Sequence, residues 1–195
     1  MKAIVTGCAG FIGSHLCETI LKKKLFTDII GIDNLDPYYD VNIKKKNLDI
    51  LLKYDNFTFI KEDIIESKCI IEHQPNVVFH LAAAAGVRYS IESPKHYCKV
   101  NIEGMINLLE QAKNVKCLSK FIFASSSSVY GNNPKTLFNE QDSTDCINSP
   151  YAASKKTMEI YSQVYSQIYN LNIIGLRLFT VYGPRGRPDM APFKF

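Results

Sequence analysis

The stretch "MKAIVTGCAGFIGSHL", residues 1–16, constrains the chain more than any other. A short apolar run, Ala3–Val5, meets glycines at 7, 10 and 13. A helical pattern follows at once, with Ile12, Leu16 and Ile20 at four-residue spacing. Glycine lets the backbone turn left-handed and lets a second group come close. The helix that starts there offers free amides and a partial positive charge. A chain opening this way puts the loop at the end of a strand, with the helix folding back on the sheet.

The rest of the chain agrees with that beginning. Apolar runs that predict strands recur at Lys2–Val5, Ile29–Ile32, Phe57–Ile60, Val77–Phe79, Phe121–Ala124 and Ile173–Leu178. Nearly all are continuously apolar rather than alternating, as expected of parallel strands covered on both faces. Helical stretches separate them, the longest at residues 96–113 and 152–169. This alternation predicts βαβ units and a doubly wound parallel sheet with helices on both faces. No internal repeat is present, and no linker is expected before residue 180. The stretch "VYGPRGRPDMAPFKF" reads as a loop leading onward, so the chain is expected to be a fragment. The division expected is residues 1–180 as one domain and 181–195 as the start of a second region.

Gly7, Gly10 and Gly13 suit a pyrophosphate, because the backbone can approach it at a helix N-terminus. Asp33 stands twenty residues beyond Gly13, at the end of the second strand. A carboxylate there accepts hydrogen bonds from an adenosine ribose diol and repels a 2′-phosphate. Asn34 follows with no arginine beside it, so NAD is favoured over NADP. Asp63, past the third strand, can meet an adenine amino group. Leu81, Ala82 and Ala83, past the fourth, let the backbone lie against a cofactor. A glycine turn that only packs helix on strand is the competing account.

"SPYAASKKTMEIYSQVY" carries Tyr151 and Lys155 four residues apart, on one helix face. A tyrosine is a poor base at neutral pH. A neighbouring ammonium and the positive nicotinamide ring favour its phenolate and lower its pKa. Four serines, Ser125–Ser128, follow the apolar run "KFIFA" at the carboxyl end of the sheet, where such folds bind ligands.

With these residues together, the chain resembles an extended short-chain dehydrogenase/reductase of the NAD-dependent epimerase/dehydratase type. The resemblance covers essentially the whole chain and implies a Rossmann-like domain, with a small C-terminal substrate domain largely absent. "DNLDPYYD" (residues 33–40), "AGVRYSIESP" (85–94) and "RLFTVYGPRGRPDMAPFKF" (177–195) are closely similar to UDP-glucuronate 4-epimerases. The cofactor contacts implied run through Gly7, Gly10, Phe11, Ile12 and Gly13, then Asp33, Asn34, Asp63 and Ile64. They continue through Leu81, Ala82, Ala83 and Asn101, and end on Tyr151 and Lys155. The catalytic set implied is Tyr151, Lys155 and Ser126. Substrate contacts implied are Arg88, Ser126, Ser127, Ser128, Tyr151, Thr180 and Arg187.

The activity implied is reversible oxidation of a UDP-sugar at carbon 4 with tightly held NAD, interconverting UDP-glucuronate and UDP-galacturonate. Ser125 is expected to be structural. Tyr38 and Tyr39 are read as loop packing. His80 is read as a satisfied core histidine, and Arg187 is favoured over Arg185 for a ligand. A UDP-glucuronate decarboxylase, a neutral-sugar epimerase and a catalytically dead NAD-binding module are the alternatives. Dehydratases resemble one another in an Asp–Glu pair near "SSVYG", where this chain has serines.

Other classes find little support. A net charge of +4 is too small to argue for nucleic acid, and the lysine runs 22–24 and 44–46 read as solvated helix ends. Six cysteines without CxxC pairing, and four scattered histidines, give no metal spacing. The cysteines read as reduced thiols, which suggests a cytoplasmic protein. No run of eighteen apolar residues is present, so no membrane span is expected. The helices at 96–113 and 152–169 are those that the family pairs into a four-helix bundle, implying a homodimer.

Overall fold

The computed structural model describes residues 1–135 and 137–190. It is a Rossmann-like sheet of six parallel strands in the order β3-β2-β1-β4-β5-β6. In chain order the elements are β1 (Lys2–Thr6), α1 (Phe11–Lys22), β2 (Asp28–Ile32), α2 (Val41–Leu51), β3 (Phe57–Ile60) and α3 (Cys69–His73). After them come β4 (Val77–His80), α4 (Val87–Glu92), α5 (Pro94–Tyr97) and α6 (Gly104–Ala112), with a π-helical stretch Cys98–Glu103 joining the last two. β5 (Lys120–Ser126), a 3-10 turn Ser127–Tyr130, α7 (Pro150–Tyr169) and β6 (Ile173–Leu178) complete the fold. Because β1 is flanked by β2 and β4, the winding reverses there, and the carboxyl ends of these strands open a crevice.

Strand alternation splits the core in two. Ile4, Val78, Phe121 and Phe123 face α6 and α7 through Met105, Leu108 and Met158. Val5 and Ile29 lie on the other face with Cys17, Ile20, Leu48 and Leu51 of α1 and α2.

Several expectations shift. The buried stripe of α1 runs through Gly13, Cys17, Ile20 and Leu21, not Ile12 and Leu16. Gly13 sets this rotation, since a Cβ there would lie 2.0 Å from the Gly7 carbonyl oxygen. The helix expected at 96–113 is three segments with a π stretch rather than one α-helix. β5 runs on to Ser126 and so takes in two of the four serines. β6, at the sheet edge, is not covered on both faces, because Ile174 and Leu176 are exposed. Residues 191–195, which end the "GRPDMAPFKF" stretch, lie outside the described residues. No described helix is long and apolar enough to cross a membrane.

Candidate active site

All six strands end in one cleft of about 390 Å³. Its first wall is the glycine loop. Gly7 has φ +73°, and a Cβ on it would meet the Ala82 backbone nitrogen at 2.7 Å. The Gly7 amide donates to the Ile32 carbonyl at 2.7 Å, tying the loop to the end of β2. No side chain caps α1 at Gly10, and Gly10 and Gly13 both line the cleft. Phe11 and Ile12 line the cleft beside them.

Asp33 is buried, accepting from the Ala9 amide at 3.1 Å and the Leu35 amide at 2.8 Å. Two acceptor positions of the carboxylate remain for a ligand. Lys44 Nζ lies 3.9 Å from Asp33 and 5.0 Å from the centre of the Tyr39 ring. Lys44 is therefore not on a solvated helix end as its run suggests: it is 7% exposed and lines the cleft. Asp63 accepts from the Asn34 side-chain amide at 3.0 Å and the Ile65 amide at 3.0 Å. Ile64 sits beside it in the lining.

Leu81–Ala83 pass across the glycine loop, with the Ala82 amide donating to Thr6 Oγ1 at 3.2 Å. Asn101 does not line the cleft, nor is it a surface residue. Fully buried, it accepts from the Ala84 amide at 2.8 Å and donates to the Ala84 carbonyl at 3.0 Å and to Ser154 Oγ at 2.9 Å. It props the loop that carries the lining. Tyr97 does the same one step on, its hydroxyl lying 2.9 Å from the Ala85 carbonyl and 2.8 Å from that of Gly86. Arg88 is not brought into the cleft. Gly86, at φ +106°, turns the chain into α4, which presents Tyr89 to the cleft and leaves Arg88 exposed.

Tyr151, Lys155 and the serines converge at the end of the cleft nearest β5. Ser149 caps α7 by accepting from the Ala152 amide at 3.1 Å, and Pro150 opens the helix, so Tyr151 sits in its first turn. Burial raises the Tyr151 pKa above the ordinary phenol value, while Ser126 and the Arg187 charge pull it back. Lys155 Nζ donates to the Ala124 carbonyl at 2.7 Å and lies 6.0 Å from the Tyr151 ring centre. Burial pushes its pKa down to about 7. Desolvation outweighs the Ser126 and Arg187 effects at the phenol.

The serines divide. Ser125 Oγ donates to Glu159 at 2.6 Å. Ser126 Oγ accepts from the Ser128 amide at 3.1 Å, and all four serines line the cleft. Thr180 and Arg187 line it from beyond β6. Arg187 is bidentate to Asp189 at 3.0 and 2.9 Å and lies 5.7 Å from the Tyr38 ring centre. Arg185 instead pairs with Glu18 on α1 and stays out of the lining. Tyr38 and Tyr39 are more than loop packing, since both line the cleft. His80 is only half satisfied. Nδ1 meets Thr6 Oγ1 at 2.8 Å, but Nε2 has no partner among the described residues, and burial lowers its pKa to about 3. Among the described residues no three His, Cys, Asp or Glu side chains could hold a metal ion together.

Sequence reasoning missed Lys44, Tyr89 and Tyr97. Lys44 hides in a run of three lysines, Tyr89 stands unremarked inside "AGVRYSIESP", and Tyr97 carries no motif.

The family profile described as GDP-mannose 4,6 dehydratase matches residues 4–194. Protein CapI of Staphylococcus aureus is 48% identical over the whole chain, which spans 58% of that relative. A probable UDP-glucuronate 4-epimerase of Rhizobium meliloti is 41% identical, again over the whole chain and 58% of the relative. The crystal structure of UDP-glucuronic acid 4-epimerase from Bacillus cereus, in complex with UDP-glucuronic acid and NAD, superposes with a TM-score of 0.91 at 40% identity. That match covers 99% of this chain and 61% of that one. The chain therefore spans little more than half the length of these relatives.

Proposed function

The chain belongs to the GDP-mannose 4,6-dehydratase family of extended short-chain dehydrogenase/reductases, and from that membership we propose that the protein is a UDP-glucuronate 4-epimerase using NAD. The observation that carries this is the convergence of Tyr151, Ser126 and Lys155, with Ser127, Ser128 and Thr180, in the cleft that the glycine loop opens. The relatives named for this activity, and the Bacillus cereus enzyme holding both ligands, support it.

The cleft fits the cofactor. A Cβ is excluded at Gly7 and Gly13, the α1 amides lack a side-chain cap, and Asp33 has acceptor capacity left. Gly7–Gly13 would hold the pyrophosphate, Asp33 the adenosine ribose, Asp63 and Ile64 the adenine, and Lys155 the nicotinamide ribose. When bound, NAD supplies the acceptor and later the donor of a hydride at sugar carbon 4.

Tyr151 takes the proton from the sugar 4-hydroxyl, with Ser126 sharing the hydrogen bond. Lys155, desolvated and anchored on Ala124, stands behind it. A positive charge brought beside the phenol would offset the burial that now raises its pKa. After the 4-keto sugar turns over, Tyr151 returns the proton and no net redox occurs. The intermediate is a β-keto acid and tends to lose carbon dioxide. Ser127, Ser128 and Thr180 hydroxyls, with Arg187, hold the carboxylate so that the breaking bond does not align with the ketone π system. The family's dehydratases use an Asp–Glu pair where this chain has serines.

Residue 180 is proposed as the end of the NAD domain, and residues 181–195 as the beginning of the substrate region. A homodimer through α6 and α7 is also proposed, because Ile160, Val164 and Ile168 form an exposed stripe on α7. Free cysteines and ordinary composition fit a cytoplasmic enzyme. Incubation of the full-length protein with UDP-glucuronate and NAD tests the activity. UDP-galacturonate formed without carbon dioxide is the expected outcome. UDP-xylose or its keto precursor would make the protein a decarboxylase instead.

A further inference from the structure

Along α7, Tyr151, Lys155 and Glu159 follow one another at four-residue spacing and share a face. They meet three consecutive residues of β5. Lys155 donates to the Ala124 carbonyl at 2.7 Å, Glu159 accepts from Ser125 Oγ at 2.6 Å, and Ser126 lines the cleft together with Tyr151.

Glu159 is itself held. The β5–β6 register sets Arg177 opposite Ser125. Arg177 Nε and Nη2 donate to the two Glu159 oxygens, both at 2.9 Å. Its Nη1 donates to the Glu140 carbonyl at 3.1 Å, and the guanidinium lies 5.0 Å from the Tyr130 ring centre. Tyr130 closes the 3-10 turn that carries Ser127 and Ser128. A bidentate, charge-assisted pair fixes geometry as well as supplying energy.

Neither Glu159 nor Arg177 lines the cleft. Successive strand side chains point to opposite faces, so fixing Ser125 fixes the rotation of β5 at Ser126. A partly buried ion pair is weak evidence for stability on its own, because desolvation offsets its attraction. Its use here is directional.

We propose that Glu159, anchored by Arg177, is a positioning residue that locks the end of β5 to α7 and so delivers Ser126 and Lys155 to Tyr151 together. The proposal rests on the assignment of Tyr151 as the base, and Glu159 acts through Ser125 without touching substrate or cofactor.

The test labels the tyrosine ring Cζ with carbon-13 and identifies the Tyr151 signal with Tyr151→Phe. Its ionisation midpoint is then followed in the parent, Ser125→Ala, Glu159→Gln and Glu159→Leu. Glu159→Leu is expected to raise the midpoint by about half a pH unit or more, as the Ser126 hydroxyl is no longer held toward the phenolate. Ser125→Ala shifts it in the same direction by less, and Glu159→Gln, which keeps an acceptor for Ser125, stays nearest the parent. In turnover with UDP-glucuronate, Glu159→Leu is expected to lose about tenfold in kcat with NAD affinity within about twofold of the parent. An unchanged Tyr151 midpoint in Ser125→Ala and in every folded Glu159 variant overturns the proposal, whatever happens to the melting temperature. The midpoint is read without turnover. Failure to epimerise UDP-glucuronate therefore counts against the proposed function and leaves the midpoint to decide on Glu159.

Discussion

At the scale of single residues, burial sets the electrostatics of the cleft, and burial is a property of the packed molecule that spacing in the sequence does not carry. For Lys155 the sign of the effect can be worked out. Its pKa falls from 10.5 in an exposed lysine to about 7 in the fold. Between those values the unfolded chain binds one more proton than the folded chain. Stability from this group therefore rises with pH through that window and is lost as pH falls toward the folded value. Urea unfolding of cofactor-free protein at about pH 7.5 and about pH 9.5 should show a rise in stability that Lys155→Met lacks. Equal pH dependence in the two proteins would contradict the buried position of the amine. Tyr151→Phe keeps the ring and removes the proposed proton carrier. Turnover of UDP-glucuronate should fall by about 10²–10⁴-fold with NAD affinity little changed, as measured by product formation and calorimetry. A fully active variant would remove Tyr151 as the base.

Elements were more legible than side chains. All six strands fell where apolar runs stood, since parallel strands covered by helices need them, although β6 at the sheet edge is left partly exposed. The rotation of α1 was not readable from Ile12, Leu16 and Ile20, because a backbone contact at Gly13 decides it. The π stretch at Cys98–Glu103 was equally silent in the sequence. There Asn101 holds the Ala84 loop by both edges of its amide. Nothing in "CKVNIEGM" says that it faces inward. Asn101→Leu should cost about 1–3 kcal/mol in unfolding free energy, because the Ala84 amide and carbonyl lose their partner. The same change should weaken NAD binding by loosening the Leu81–Ala83 backbone. Chemical denaturation with a cofactor titration checks both, and an unchanged NAD affinity would separate Asn101 from the site. Arg88 shows the converse. It stands in a stretch resembling the family's cleft, yet one helical step past Gly86 leaves it in solvent.

For the whole molecule, the glycine loop and strand alternation made the doubly wound sheet readable. The cleft's composition was readable only in part. Lys44, Tyr38 and Tyr89 reach it from elements distant in sequence, and their arrival depends on how α2 and α4 pack. The exposed stripe on α7 predicts that Ile160→Asp with Ile168→Asp gives a monomer where the parent is a dimer, by light scattering after size exclusion. A parent that is already monomeric would remove the proposed bundle.

The proposed base, Tyr151, and a bound cofactor act together at sugar carbon 4 while the uronate stays intact. UDP-glucuronate carrying deuterium at carbon 4 decides this, with products followed by proton NMR and mass spectrometry. The expected result is UDP-galacturonate that keeps the deuterium at carbon 4, with no carbon dioxide released. Loss of the deuterium to solvent, or a five-carbon sugar with release of carbon dioxide, would contradict it.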